Sequence, residues 1–281
     1  AGADFNTGWK FSLNAHAHAQ ERDFDDSEWR AVDLPHDWVI EGTPDPELEF
    51  WEATGRLPGQ GIGWYRKHFT LDNLGDKSVQ VIFDGVYNNS DNWINGHHLC
   101  FHPLGLSPFT YDLTPWLVEG DNVISVKVNH GAYADSRWYT GAGIYRNVRL
   151  LTAGKTHFPP WGVFVTTPEV SSEKATVEAR IELRIDKAEA RELLLTNRVL
   201  GPDGTVVAVV VIGELELHAP ARAEQRPIGI QQCRTLALIV LVIADHHALA
   251  AAEEILVAKT QRVIADAPCQ VERYDRGEGP D

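Results

Sequence analysis

Methionine is absent from the 281-residue chain, and cysteine is scarce. The three cysteines, Cys100, Cys233 and Cys269, lie far apart, so their spacing predicts neither a disulfide framework nor a metal site. We expect them to be reduced thiols, which favours a cytoplasmic protein. The missing initiator methionine indicates that the sequence begins after processing or inside an expressed fragment. The first residues do not have the pattern of a signal peptide, so we expect none.

Positive charge is also in short supply. Lys and Arg number 25 against 40 Asp and Glu, which gives a formal net charge of −15. Nucleic acids and anionic membranes are bound by basic patches, so this balance predicts neither as a partner. The longest apolar run, Leu236 to Ala244, is too short to span a bilayer. A neutral ligand is not excluded by this charge.

A polar stretch, Asn88 to Asn92, lies between two short apolar strands. The first strand ends in Asp84-Gly85, a turn pair in which glycine accepts a positive φ angle. The second strand runs into Asn95-Gly96, the strongest two-residue signal for a β-hairpin. The amides and carboxylates between them suit a hydroxyl-rich ligand, but such residues more often cap turns on a β-sandwich.

The strand pattern predicts an all-β fold in two parts. Short strands broken by Gly, Pro, Asn and Asp fill residues 1–153, which is typical of a sandwich or jelly roll. Consecutive prolines at 159–160 indicate a boundary. Residues 177–185 then alternate between apolar and charged types, which predicts an antiparallel strand over a core. Segments 193–200 and 205–212 predict a hairpin around a Gly-Pro-Asp-Gly turn.

Four runs in the first part of the chain follow one another at a characteristic spacing. They are Asn6-Thr7-Gly8-Trp9-Lys10-Phe11, Leu34-Pro35-His36-Asp37-Trp38, Gly61-Ile62-Gly63-Trp64-Tyr65-Arg66, and Ser136-Arg137-Trp138-Tyr139 through Gly143-Ile144-Tyr145-Arg146. Together they resemble the N-terminal domain of glycoside hydrolase family two, which comprises β-galactosidases, β-glucuronidases and β-mannosidases. The β-galactosidase branch is the most similar, chiefly in the Asn-Gly-His-His-Leu and Ser-Arg-Trp-Tyr runs.

The resemblance implies a jelly-roll sugar-binding domain over 1–153 and an immunoglobulin-like β-sandwich over 154–281. It is lost after about residue 220, where the C-terminal end diverges. There Leu236 to Ala244 fits a buried strand, whereas His247 to Ala265 fits a helix. The catalytic (β/α)8 barrel of the family would follow the second sandwich, and no stretch of this chain matches it.

The chemistry that the resemblance implies is retaining hydrolysis by two carboxyl groups about 5–5.5 Å apart. Both belong to the barrel, so no catalytic residue is assigned here. The jelly roll of the family contributes a loop to the sugar pocket, and residues 130–138 match that loop. The implied sugar contacts are Asp135, Ser136, Arg137 and Trp138, with Asn88 and Asn89 from the polar stretch. A carboxylate such as Asp135 accepts strong hydrogen bonds from hydroxyls, but it could equally cap a turn, and aromatic residues like Trp138 more often belong to a core.

Histidines occur in two groups that a metal could use. They are His16 with His18, and His97 and His98 with His102. Zinc sites use such residues, but scattered histidines are more often solvated. The resemblance makes no cofactor certain and raises a Mg or Na ion as a possibility. We expect His36 and Asp37 to stabilise a buried turn rather than to transfer protons.

Three functions remain open from the sequence. The first is the sugar-binding and scaffold region of a β-galactosidase-like enzyme, with a galactoside or related saccharide as its partner. The second is a compact β-galactosidase that uses carboxylates on the sandwich itself. The candidates for that pair are Asp37, Glu41, Glu49, Glu52 and Asp135. The third is a non-catalytic assembly module, which accords with a possible homo-oligomer.

Overall fold

The computed structural model describes residues 2–47, 57, 61–131, 139–171, 174–185, 195–200, 202–212, 233–244 and 257–260. Within these residues the chain is all-β, as the sequence predicts, and its strand pairs are antiparallel. It divides into two compact units, Ala1–Ala153 and Gly154–Asp266. No helix in the described part is long and apolar enough to cross a membrane.

The first unit is a sandwich of two antiparallel sheets. Its strands are β1 (Gly2–Asp4), β2 (Trp9–Leu13), β3 (Arg30–Val32), β4 (Gly61–Leu71), β5 (Lys77–Phe83), β6 (Ser90–Ile94), β7 (His97–His102), β8 (Phe109–Asp112), β9 (Gly120–His130) and β10 (Val148–Gly154). One sheet has the order β1-β10-β5-β8, and the other has the order β3-β2-β4-β9-β6-β7. A short 3₁₀ turn, Thr114–Trp116, follows β8.

Apolar side chains from both sheets fill the space between them. Val81 and Phe83 of β5 are fully buried in the same core cluster as Ile124, Val126 and Val128 of β9. Alternation along β9 therefore directs these three residues inward, as the period of two predicts. The core fixes both sheets and, through them, the loops at each end of the sandwich.

The hairpin signal after the polar stretch is confirmed, whereas Gly85 does not have the positive φ angle considered for the Asp84-Gly85 turn. Strand β5 ends at Phe83, and strands β6 and β7 pair as a hairpin across Asn95 and Gly96. Both turn residues have positive φ angles, 49° and 83°, which suits the tight turn between two twisted strands. The polar residues 84–89 therefore form the loop from one sheet to the other.

The second unit contains a five-stranded sheet and a separate hairpin. Its strands are β11 (Thr156–His157), β12 (Val163–Val170), β13 (Lys174–Ile185), β14 (Leu195–Leu200), β15 (Val206–Ile212), β16 (Cys233–Ala244) and β17 (Val257–Thr260). In the five-stranded sheet, β13 pairs with β11, β12 and β16. Strand β16 also pairs with β17. The hairpin consists of β14 and β15. The predicted strand over 177–185, the hairpin and the strand over 236–244 are all confirmed.

The period of His247 to Ala265 is ambiguous, and the helix that it would fit is not formed at Val257–Thr260. These four residues form β17 and pair with β16, with Ala237 opposite Thr260. A short apolar run carries no period long enough to distinguish a strand from a helix, and the neighbouring strand decides between them.

Cys100 corrects a second expectation. It lies in β7 and is disulfide-bonded. The expectation of three reduced thiols is therefore wrong for this residue. Sequence spacing could not reveal the bond, because folding brings together cysteines that are distant in the chain.

Candidate functional site

Two loops meet at one end of the first-unit sandwich. The backbone N–H of Asn129, near the end of β9, donates to the Asn89 carbonyl oxygen at 3.3 Å. In return the Asn89 side-chain Nδ2 donates to the Asn129 carbonyl oxygen at 3.4 Å. The predicted pair Asn88-Asn89 is thereby held beside exposed Gly131, the last described residue before 132–138.

Asn88 offers a hydrogen-bonding group that the described structure does not use. Its side chain is partly exposed, and within the described residues it forms no hydrogen bond. The peptide bond that precedes it, Tyr87–Asn88, is cis. A primary amide has two donor hydrogens and one acceptor oxygen. It can therefore both donate to and accept from the hydroxyl groups of a ligand.

Tyr87 ties this loop to the segment that closes the sandwich. Its N–H donates to the Gly143 carbonyl oxygen at 2.9 Å, and the Gly143 N–H donates back to the Tyr87 carbonyl oxygen at 2.7 Å. Gly143 has φ of 111°, and a Cβ there would lie 2.2 Å from the Tyr65 hydroxyl oxygen. Only glycine fits, because the backbone must approach both Tyr65 and Tyr87 closely.

Asp37 anchors the same closing segment from the other side. Its Oδ1 accepts hydrogen bonds from the N–H groups of Val39 at 3.0 Å and Ala142 at 3.1 Å. Its Oδ2 accepts from the Tyr139 hydroxyl at 2.5 Å. Burial, together with donation to the Asp37 carboxylate, raises the pKa of Tyr139 far above its usual value. Tyr139 therefore stays protonated, with 38% of the residue exposed.

The His130 ring connects the two anchors. Its centroid lies 5.7 Å from that of Tyr87 and 6.5 Å from that of Trp38, the neighbour of Asp37. A continuous set of contacts thus runs from Asn89 through His130 to Tyr139. We call the surface formed by Asn88, Asn89, Gly131 and Tyr139 the rim.

A polar cluster behind Asp37 supports the rim. His36 Nδ1 lies 2.7 Å from the Tyr65 hydroxyl, and its Nε2 lies 3.0 Å from Arg30 Nη2 and 3.2 Å from Glu41 Oε1. Burial lowers the pKa of His36 despite the Glu41 charge, so the imidazole is neutral at pH 7. The hydrogen bond from Arg30 lowers the pKa of Glu41. The cluster fixes the turn on which Asp37 stands, which is the structural role expected for His36 and Asp37.

A comparison with known families identifies this arrangement. The family model described as "Glycosyl hydrolases family 2, sugar binding domain" matches residues 3–154, which include every rim residue. The chain belongs to glycosyl hydrolase family 2. Residues 3–154 are its sugar-binding domain, which the four resemblances in the sequence predict. Saccharide binding is therefore the function of the domain that carries the rim.

Relatives in family 2 extend beyond this chain. The β-galactosidase BoGH2A of Bacteroides ovatus is 42% identical over 208 residues, which is 73% of this chain and 24% of that protein. A β-glucuronidase of Formosa agariphila is 32% identical over 236 residues, again 73% of this chain and 23% of that protein. The chain thus spans about a quarter of the length of these curated relatives.

Solved glycosidase structures have the same fold. A β-glycosidase from Bacteroides vulgatus superposes with a TM-score of 0.70 at 33% identity, covering 93% of this chain and 34% of that one. A family 2 member from Bacteroides cellulosilyticus gives 0.70 at 29% identity, over 87% and 34% of the two chains. Both comparisons extend past residue 154, so the likeness includes the second unit.

The structure places some of the predicted family 2 site residues and not others. Asn88 and Asn89 lie on the rim. The predicted contacts Asp135, Ser136, Arg137 and Trp138 lie outside the described residues, as do the candidate carboxylates Glu49 and Glu52. The sequence analysis missed Tyr87 and Tyr139. Tyr139 ends the Ser-Arg-Trp-Tyr run, so the motif itself was the available signal for it.

The histidine groups have other partners. His16 contacts Ser12 at 2.8 Å, His18 pairs with Glu21, His97 stacks on Trp116, His98 pairs with Asp91, and His102 contacts Ser107. Across the described residues, no three His, Cys, Asp or Glu side chains are grouped to hold a metal ion. The Mg or Na ion raised by the resemblance stays a prediction, because such ions also bind to carbonyl oxygens and water.

Proposed function

We propose that the protein is the sugar-binding and scaffold region of a β-galactosidase-like glycoside hydrolase, and that its rim binds terminal β-galactosides. Family membership supports a saccharide as the ligand. The galactoside is supported by the identity to the Bacteroides ovatus β-galactosidase, 42%, which exceeds the 32% identity to the Formosa agariphila β-glucuronidase. The four described rim residues include no basic side chain that would pair with the carboxylate of a glucuronide.

The observation that carries this proposal is the Asn88 side chain. A partly exposed amide without a partner in the described structure stands on a loop that Asn129 and Gly143 hold in place. Because the loop is fixed before a ligand arrives, binding requires little further ordering of the protein. The Tyr139 ring, held by Asp37, offers an aromatic face to the apolar side of a sugar.

Binding and orientation, rather than bond cleavage, suit this rim. Retaining hydrolysis needs a carboxylic acid with a raised pKa and a second free carboxylate. Asp37 already accepts three hydrogen bonds, and Glu41 is paired with Arg30 and His36. The pKa of Glu41 is lowered, which keeps it ionised and makes it a poor acid. These contacts disfavour a compact catalyst built on the two carboxylates.

Calorimetric titration with methyl β-D-galactoside tests the proposal. We expect the Asn88→Ala variant to bind about tenfold more weakly, because a hydrogen bond of about 1.4 kcal/mol is lost. Its free energy of unfolding should stay within about 0.5 kcal/mol of the parent. The matched control is Asn147→Ala, an exposed asparagine whose Oδ1 accepts only a long hydrogen bond, 3.4 Å, from Asn6 Nδ2. Equal affinity of parent and Asn88→Ala would contradict the proposal.

Two further measurements address the alternatives. If the purified chain hydrolyses p-nitrophenyl β-D-galactoside, and Asp37→Asn abolishes the turnover, then the compact catalyst is the better account. The possible homo-oligomer stays a prediction, and sedimentation velocity over a range of concentrations checks it. Cytoplasmic localisation also stays a prediction.

A further inference from the structure

The loop after β7 displays two leucines to solvent. Leu104 is 61% exposed and Leu106 is 59% exposed, on either side of Gly105. Single exposed leucines are common on protein surfaces and need no explanation. This pair differs because its loop is fixed in place and lies against the rim.

Close packing fixes the loop. A Cβ at Gly105 would lie 2.0 Å from Cδ2 of Tyr87, so the bare backbone of this glycine rests on the tyrosine ring. The Gly105 carbonyl oxygen accepts a hydrogen bond from the Tyr145 hydroxyl at 2.9 Å. Farther along, Ser107 Oγ lies 3.3 Å from His102 Nε2. The loop that carries the leucines is therefore held by two contacts at Gly105 and one side-chain contact at Ser107.

The same loop borders the rim. The backbone N–H of Asn89 donates to the Pro103 carbonyl oxygen at 3.5 Å, which places the two loop segments side by side. Tyr87 contacts Gly105 on one side and continues directly into Asn88. A ligand held by the Asn88 amide would thus have Leu104 and Leu106 close to it.

The side chains of the loop indicate which part of a ligand it could contact. Residues 103–108, Pro-Leu-Gly-Leu-Ser-Pro, contain no titratable side chain in a protein with a net charge of −15. A sugar ring needs hydrogen-bonding partners for its hydroxyls, and two leucines offer none. An apolar substituent on the sugar would lose water against them and gain affinity.

We propose that Leu104 and Leu106 form an apolar lip that binds the aglycone of a β-galactoside whose sugar lies on the rim. The protein would then prefer galactosides with a hydrophobic aglycone. The lip rests on the proposed function, since it acts on a ligand that the rim already holds.

Titrations with two probes test the lip. The probes are methyl and hexyl β-D-galactoside, which share the sugar and differ in the aglycone. We expect hexyl β-D-galactoside to bind the parent chain at least about tenfold more tightly, because five additional methylene groups can be partly buried. In the Leu104→Ser/Leu106→Ser double variant the preference should fall below about threefold, while the affinity for methyl β-D-galactoside stays unchanged. The control is Leu200→Ser in β14, a leucine that is 57% exposed.

The outcomes separate the two proposals. If methyl β-D-galactoside does not bind the parent chain, the proposed function fails, and the lip fails with it. If methyl β-D-galactoside binds and the preference for hexyl β-D-galactoside survives in the double variant, the lip alone is overturned. If the double variant instead abolishes a dimer seen by sedimentation, the leucines contact a second copy of the chain, and the lip is also overturned. Thermal unfolding confirms that each variant is folded.

Discussion

Two polar clusters in the first unit use the same kinds of groups for different purposes. Arg66 is fully buried beneath the segment that covers the outer face of the six-stranded sheet. Its Nε donates to Asp26 Oδ2 at 2.6 Å, and its Nη1 donates to the carbonyl oxygens of Ala19 at 2.5 Å and Glu21 at 2.8 Å. By contrast, Asp37 is half-buried and accepts from residues that border the rim.

The two clusters differ in which part of the chain supplies the hydrogen-bond partners. The carbonyl oxygens that accept from the Arg66 guanidinium all belong to residues 19–24, and its carboxylate partner is Asp26. The guanidinium thus fastens residues 19–26, the covering segment, to the sheet. The partners of Asp37 include Tyr139 and Ala142, which lie just past 132–138. We infer that loss of Arg66 acts on folding, whereas loss of the Asp37 carboxylate acts chiefly on saccharide binding. Six variants sharpen or break this contrast.

The largest effect is expected for Arg66→Met. The substitution leaves the Asp26 carboxylate, whose residue is 8% exposed, without its buried partner. Breaking a buried pair in this way costs about 3–5 kcal/mol, which is a large part of the stability of a typical domain. Urea unfolding followed by tryptophan fluorescence measures the loss.

The control for Arg66→Met is Arg149→Met, which removes an ion pair with Asp84 in which the arginine side chain is 49% exposed. It should cost less than about 1 kcal/mol. If the two variants lose the same free energy of unfolding, Arg66 does not have the structural role assigned to it.

Asp37→Asn should affect binding more than folding. The change removes the charged acceptor of the Tyr139 hydroxyl but keeps an oxygen for the Val39 and Ala142 N–H groups. We expect the Kd for methyl β-D-galactoside to rise about tenfold, or about 1.4 kcal/mol, while the free energy of unfolding falls by less than about 1 kcal/mol. Tyr139→Phe removes only the hydroxyl and should have a smaller effect on both quantities. An Asp37→Asn variant that unfolds more easily but binds normally would remove the contrast with Arg66.

Acidification should lower the free energy of unfolding through His36, in the cluster behind the rim, before it affects the Arg66–Asp26 pair. Burial lowers the pKa of His36 below its ordinary value of 6.5, so below pH 6.5 the unfolded chain takes up more protons than the folded one. The free energy of unfolding therefore falls as pH falls from 6.5 towards 5. Burial also lowers the pKa of His102, so His36→Gln should reduce this pH dependence without abolishing it.

Asp26 titrates lower in pH. Burial acts to raise the pKa of its carboxyl group, but hydrogen bonds and positive charge from His68 and Arg66 outweigh it and hold the pKa below 3.8. The stability that this carboxylate contributes is therefore lost only in more acidic solution. Urea unfolding at pH 7.5, 6.5 and 5 isolates the His36 contribution. A His36→Gln variant with the full pH dependence of the parent would show that other groups cause it.

Glu41→Gln should have the smallest effect. The Glu41 side chain is 44% exposed, and that of its partner Arg30 is 52% exposed. Solvent screens such a pair, so we expect a loss of less than about 1 kcal/mol in the free energy of unfolding. The affinity for methyl β-D-galactoside should stay within about twofold of the parent, because Asp37 keeps its three hydrogen bonds. A large loss of affinity would mean that Glu41 itself takes part in binding.

Local patterns were sufficient to predict much of the fold. The Asn95-Gly96 pair predicted its hairpin, and the charged-apolar repeat predicted β13. These signals work because neighbouring residues set strand period and turn geometry. Between 257 and 260 the local pattern was ambiguous, and pairing with β16 decided the outcome.

The contacts behind the rim could not be read in the same way. Tyr139 meets Asp37 across 102 positions of sequence, and Arg66 reaches residues more than 40 positions away. No periodicity encodes such contacts, since they depend on which strands become neighbours. Asn88 and Asn89 were predicted because their own polarity marked them, whereas Tyr87 and Tyr139 acquire their positions from Gly143 and Asp37.

Amide chemical-shift changes during titration with methyl β-D-galactoside test the central claim most directly. The account predicts saturable shifts of the backbone amides of Asn88, Asn89, Gly131 and Tyr139, with little change at Arg66 and along the covering segment 19–26. Shifts centred on that covering segment, or an absence of saturable shifts at millimolar ligand, would contradict it.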